Sequence, residues 1–357
     1  MQCLTNINRF KIPNDIMMSY LSLYKSIGNN HYNHSALNSD YQVMVRQTIS
    51  NDVYFFAKLF NLSITESRLK SLIYKGIIPK NKDEKLVLRL KQAFIKIHKE
   101  TSTFELHTNE IFDMLKFLYK DILADTKIQF IKNDKSKSSS VTLLSSGFTS
   151  KRDELDQLIE LYNGRIEEGN FEASFIIGNF YIDFLNIRPF VDKNDEIALI
   201  TLYILLLTSG YEVYEYISFM EVLFENRNEF HSVVLSSNFN WNEGFAETLN
   251  LHRYIIKLSL ESYDQINLLI RDYEFDSQLN KSNNVENTIT KLDDVFSKDD
   301  IRDVHPYISD STINRTLKRL RDEQKIRPLG KGRSAKWIKL VQEKNKKIRF
   351  EQLDLDI

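Results

Sequence analysis

A mainly α-helical fold follows from three features of this 357-residue sequence. Helix breakers are scarce: 10 Gly and 5 Pro are too few for the many tight turns of a sandwich or barrel. Apolar side chains recur at three- and four-residue spacings in segment after segment, the period of a helix with one buried stripe. Two further runs, FEASFIIGNFYIDFLNI and IALITLYILLLTSGY, are apolar on most faces and therefore belong at the centre of a core. The length suits two or three units rather than one, because domains usually run to about 100–200 residues.

Residues 1–76 read as an N-terminal helical region in which Tyr41–Phe60 carries the mixed spacing most clearly. Residues 77–275 read as the core domain, with helices over 84–99, over 109–123 and from 153, where Leu155, Leu158, Ile159 and Tyr162 fall on one face. Between them Lys127–Lys132 alternates like a short strand, and the Lys/Ser run Asn133–Ser140 reads as a mobile loop. The two apolar runs flank an interruption, RPFVDKND. Residues 276–292 are polar and Asn-rich without periodicity, which predicts a linker. A second domain then spans 293–342, and 343–357 is a tail whose KNKKIR either extends a basic surface or frays in solvent. No internal repeat is visible.

Composition narrows the function classes. Cys3 is the only cysteine, so no internal disulfide can form. With no apolar stretch long enough for a membrane span and no secretory leader at the N-terminus, the expected setting is the cytoplasm, with no membrane partner. The seven histidines, His31, His34, His98, His107, His231, His252 and His305, form no metal-ligand spacing, and no metal site is expected. The net charge of −1 hides an asymmetry: Phe296–Arg349 holds 16 Lys or Arg against 7 Asp or Glu, a balance of +9. Opposite charge on the two parts suggests two different jobs.

The interruption between the apolar runs, Arg188-Pro189-Phe190-Val191-Asp192-Lys193-Asn194-Asp195-Glu196-Ile197-Ala198-Leu199, carries a resemblance. Two buried helices joined by a Pro-Phe loop resemble the Fic (Fido) family, whose motif is His-Pro-Phe-x-Asp/Glu-Gly-Asn-Gly-Arg-x-x-Arg. Phe184 before the loop, Ser209-Gly210-Tyr211 after it, and Tyr216–Phe219 with Glu225-Asn226-Arg227 beyond fit the same pattern, over roughly 70–275. The resemblance implies a mainly α Fic-type domain with a small β flap and, in members with an appendix, a winged helix. It also implies ATP with Mg²⁺ as cofactor and AMP transfer to a protein hydroxyl, the motif histidine taking the hydroxyl proton.

At the motif positions this chain departs from that chemistry. A guanidinium stays protonated at physiological pH, so Arg188 cannot be the base. Lys193 and Asp195 stand where two glycines would let backbone N–H groups close on phosphates. Glu196 and Leu199 replace both phosphate-holding arginines, and 188–199 carry two positive against three negative charges, which opposes a triphosphate. Phe190, Asp192 and Asn194 remain. Asp192 and Asn194 are either remnants of the cofactor site, Asp192 as the Mg²⁺ ligand, or caps of the following helix, with Phe190 a core anchor.

Many family members also carry an inhibitory helix, Ser/Thr-x-x-x-Glu-Gly. Ser71-Leu72-Ile73-Tyr74-Lys75-Gly76 matches except that Lys75 replaces the glutamate, so Lys75 is expected close to Asp195 or Glu196. The family's target-docking flap usually includes Gly-x-Tyr-Arg, where this chain has Asp125-Thr126-Lys127-Ile128.

In the second domain Ser297 is expected to cap a first helix, and Ser309 or Asp310 a second, in which Ile313, Leu317 and Leu320 mark the apolar face. Ser311, Thr312, Asn314, Arg315, Lys318 and Arg319 then form a polar and basic surface, and a hairpin tip with Lys331 and Arg333 follows between strands at 326–329 and 335–340. The pattern, with Trp337, resembles winged helix-turn-helix domains of bacterial regulators and implies DNA as partner. Taken together, the expectation is a degenerate Fic-fold pseudoenzyme with a DNA-binding winged helix, a regulator needing no cofactor. The alternatives are an adenylyltransferase with an altered site that uses ATP and Mg²⁺, and a protein-binding adaptor; pairing as a homodimer stays open.

Overall fold

The computed structural model describes residues 2–132, 150–277, 281–330 and 335–340. The chain forms two compact units, Met1–Ile270 and Arg271–Ile357. Asn133–Ser140, the tail 343–357 and the hairpin tip with Lys331 and Arg333 lie outside the described residues.

The first unit is built from helices: α1 (Gln2–Thr5), α2 (Asn14–Ile27), α3 (Asn30–Leu37), α4 (Tyr41–Leu59), α5 (Glu66–Lys75), α6 (Lys82–Glu100), α7 (Thr108–Tyr119), α8 (Lys151–Glu168), α9 (Ala173–Ile187), α10 (Asn194–Thr208), α11 (Phe219–Glu225), α12 (Arg227–Asn238) and α13 (Leu249–Ser277). Helices α4, α6, α7 and α8 stand where the apolar periodicity puts them. Helix α8 starts at a capping box, Ser150 and Asp153 each bonding the other's backbone N–H. Helices α9 and α10 pack on each other at the centre, with α1, α8 and α12 against α9 and α7 against α10. Ile197–Leu207 of α10 are buried without exception, which is why this stretch shows no polar face.

Two buried carboxylates tie the elements of this core together. Asp183 accepts from the backbone N–H groups of Cys3 and Leu4 and from the Trp241 indole, tying the N-terminal turn to α9. Asp52 accepts from the Tyr203 hydroxyl, the Ser218 hydroxyl and the Met220 N–H, joining α4 to α10 and α11. Burial raises the Asp52 carboxyl to about 7 against the pull of those three donors. His98 shares a hydrogen bond of 2.7 Å with the same Tyr203 hydroxyl, and burial lowers it to about 4.

In the second unit, α14 (Lys281–Lys291), β1 (Val295–Phe296), α15 (Lys298–Val304), α16 (Asp310–Asp322), β2 (Ile326–Pro328) and β3 (Trp337–Lys339) follow in order. The sheet is antiparallel with order β1-β3-β2. Ser297 and Ser309 cap α15 and α16 as expected. The linker expected over 276–292 is largely helical instead: α13 runs to Ser277, and α14 places Val285 and Ile289 in a core with Phe296, Ile301, Leu317 and Trp337. The periodicity is hidden because polar side chains are buried beside those two: Asn284 is 2% exposed and Thr288 is 5% exposed, and the Thr288 hydroxyl is bonded to His305. A two-residue strand such as β1 leaves no alternation to read.

Candidate functional site

The loop between α9 and α10 is fixed by its own side chains. Arg188 ends α9 in the left-handed conformation at φ 46°, its N–H donating to the Phe184 carbonyl. Phe190 is fully buried among Phe112, Phe130 and Phe184, with its ring stacked 6.0 Å from that of Phe112. The segment expected as a strand meets the loop here. Ile131 N–H donates to the Pro189 carbonyl and Val191 N–H to the Gln129 carbonyl, one antiparallel bridge across Phe130 and Phe190 rather than a longer ladder.

Asn194 does not cap α10. Its Oδ1 accepts from Phe190 N–H at 2.9 Å, and its Nδ2 donates to the Phe190 carbonyl at 2.7 Å, so one amide holds both main-chain groups of the anchor residue. Lys193 keeps a positive φ of 66°, the conformation a glycine would take at lower cost, while Asp195 lies in the first turn of α10.

The charges close on one another. Arg188 pairs with Asp195 at 2.9 Å, Lys193 with Glu196 at 2.7 Å, and Lys127 with Asp192 at 3.2 Å. The negative balance counted along 188–199 is therefore cancelled by Lys127, and Asp195 and Glu196 are paired rather than bare. Burial acts to raise the Asp192 carboxyl, but the Lys127 ammonium and the Lys193 N–H outweigh it and hold the group below its ordinary value. Tyr119, with the Lys193 ammonium 5.4 Å from its ring centre, is raised by burial and by nearby Glu196 and Asp192.

Asp192 Oδ2 accepts from the Lys127 ammonium and Oδ1 from the Lys193 backbone N–H, one donor to each carboxylate oxygen. Both cations of the loop itself, Arg188 and Lys193, are held by carboxylates, and no proton acceptor stands at 188.

Ser71 and Lys75 stand on α5, and Gly76 is its C-cap. Ser71 donates to the Ser67 carbonyl within α5, and Gly76 is a left-handed C-cap at φ 59°. Helix α5 packs on α4 and α6; Lys75 is exposed, and Asp195 and Glu196 pair with Arg188 and Lys193.

On α16, Ser311, Asn314, Arg315 and Lys318 are exposed on one stripe, whereas Thr312 is half-buried with its hydroxyl against Ser309. Arg319, expected among the contacts to a partner, turns instead to Glu286 of α14 and Glu323, and Lys325 bridges the same two carboxylates. Sequence reasoning missed Lys127 and Glu286, each of which meets its partner only through the fold.

A pair of apolar central helices joined by a Pro-Phe loop, with peripheral helices around them, defines the first unit as a Fic-type helical fold, and solved structures share it. The chain is similar to a fragment of Fic-1 from C. elegans, with TM-score 0.54 and 14% identity over 72% of this chain and 73% of that one. It is similar also to a Fic domain-containing signalling protein from Bacteroides thetaiotaomicron, with TM-score 0.51 and 16% identity over 70% of this chain and 97% of that one. No family model matches the sequence, and no curated protein matches it. No helix among the described residues is long and apolar enough to cross a membrane.

Proposed function

We propose that this chain is a Fic-fold protein that does not transfer AMP and acts as a DNA-binding regulator, its second unit being a winged helix. One observation carries the first half: the position of the family's proton acceptor holds Arg188, a permanent cation bonded to Asp195. The paired Lys127–Asp192 and Lys193–Glu196 support it, since each occupies a group that would hold metal or phosphate. The loop then serves as a buried brace between α9 and α10.

The DNA reading is supported by two helices followed by the β2–β3 hairpin, with β1 closing the sheet. Exposed Ser311, Asn314, Arg315 and Lys318 stand on the second helix, in a region whose sequence balance is +9. Asn and Arg are side chains suited to adenine and guanine edges, and Lys318 to a phosphate.

Two assays test the proposal. With labelled ATP, Mg²⁺ and lysate, the unaltered chain is expected to label nothing, and transfer by it would overturn the first half. Duplex binding is expected to weaken steeply with salt, and Lys318→Ala to reduce the log–log slope by roughly 0.9, the value for one phosphate contact. Arg319→Ala, which leaves Glu286 and Glu323 with Lys325 alone, is expected to lower stability with little change in slope. Binding that is absent or indifferent to salt would overturn the second half.

A further inference from the structure

Helices α6, α7 and α10 enclose a cleft of about 330 Å³ on the far side of α7 from Phe112. Its walls are apolar, led by Ala93, Ile97, Met114, Phe117, Ile204 and Leu207. The volume lies at the lower end of the range of small-molecule sites, about 300–1,000 Å³. Three threonines also line it, but their hydroxyls donate to carbonyls of their own chain segments: Thr101 to Ile97, Thr201 to Ile197 and Thr208 to Ile204. The walls therefore ask for an apolar body rather than a hydrogen-bonding one. Phe117 is 46% exposed, an aromatic ring held partly in water at the cleft.

The rim is negative. Lys96, Glu100, Glu110 and Asp113 line it; Glu100 is matched by Lys96 and Asp113 by Lys116, which leaves Glu110 with no ion pair among the described residues. Glu110 stands in the first turn of α7, where the helix dipole favours its charge. We propose that this cleft binds a small amphiphilic cation, its apolar body between α6, α7 and α10 and its ammonium against Glu110. An anionic amphiphile is disfavoured by the same rim, and a neutral one gains the walls alone.

Three probes with one apolar body isolate the charge: 4-phenylbutylammonium, 4-phenylbutan-1-ol and 4-phenylbutyrate, titrated into the full-length protein by calorimetry and by isoleucine and methionine methyl NMR. The ammonium is expected to bind with Kd of about 1 mM or tighter and about tenfold more tightly than the carboxylate, the alcohol between them, with shifts confined to Ile97, Ile111, Met114 and Ile204. Glu110→Gln is expected to shrink the ammonium-to-carboxylate ratio to about threefold or less while leaving the alcohol unchanged. Met114→Trp fills the cleft and is expected to abolish binding of all three; Phe117→Ala, at a half-exposed position that does not threaten folding, is expected to weaken all three severalfold. Binding of the carboxylate as tight as the ammonium, binding unchanged in both the Phe117 and Met114 variants, or no binding by any probe would each overturn the proposal.

Discussion

Replacing Asn194 with alanine removes the only groups among the described residues that bond the Phe190 main chain. The antiparallel bridge uses the Pro189 carbonyl and the Val191 N–H, so Phe190 N–H and C=O depend on the Asn194 amide, at 2.9 and 2.7 Å. Asn194 is 2% exposed and Phe190 is fully buried, so water does not readily replace the amide. An orphaned buried donor or acceptor costs about 1–3 kcal/mol, and two of them, partly relieved by loop relaxation, give an expected loss of about 2–4 kcal/mol. Asn194→Asp keeps the acceptor for Phe190 N–H but sets a carboxylate oxygen against the Phe190 carbonyl. Burial raises that new carboxyl above its unfolded value, so its share of stability is present at low pH and lost as pH rises through the folded value. The aspartate variant is therefore expected to lie nearer the parent at about pH 4 than at pH 7. Equilibrium urea unfolding, read by hydrogen exchange of first-unit peptides, separates this loss from events in the second unit. An alanine variant within about 1 kcal/mol of the parent, or an aspartate variant with no pH-dependent deficit, would refute the reasoning.

Two further expectations concern the core. At Gly178 an added Cβ would stand 2.7 Å from His252 Cε1, and that ring is buried 3.9 Å from Phe175 between centroids, so Gly178→Ala is expected to cost about 1–2 kcal/mol after the gain in helix propensity. Gly164 in α8 has nothing within 4 Å, and Gly164→Ala is expected to raise stability by about 0.5–1 kcal/mol; thermal melts of equal sign for the two would sink the packing argument. For pH, Asp52 is raised to about 7 from 3.8, so its share of stability is present below 3.8 and lost as pH rises through 7. His98 and His252, lowered from 6.5 to about 4 and about 3 by burial, act oppositely: their share is present above 6.5 and lost as pH falls. Removing the Asp52 titration with Asp52→Asn is thus expected to steepen the rise of stability with pH between pH 4 and 6.5 by about 1.4 kcal/mol per pH unit, and parallel profiles would exclude it.

Much of the helical architecture is legible in the sequence because it depends on local period. Tyr41–Leu59 and Lys82–Glu100 each place apolar residues on a stripe, and Ala173–Ile187 with Asn194–Thr208 have no polar face to expose. Ser297 and Ser309 announce their helices because a cap acts on N–H groups within three residues. Helix α14 escaped because buried Asn284 and Thr288 imitate a solvated segment.

The site divides along the same line. The residue types at 188–199, and with them the missing proton acceptor at Arg188, belong to the sequence alone, since no fold gives a guanidinium a usable lone pair. What the cations do was decided by tertiary structure. Lys127 closes on Asp192 from 65 positions away, and Arg319 leaves the basic surface of α16 for Glu286, 33 positions earlier. Neither contact has a local signature, because a charge on a flexible side chain is compatible with solvent, nucleic acid or ion pair until the backbone brings a carboxylate within about 4 Å.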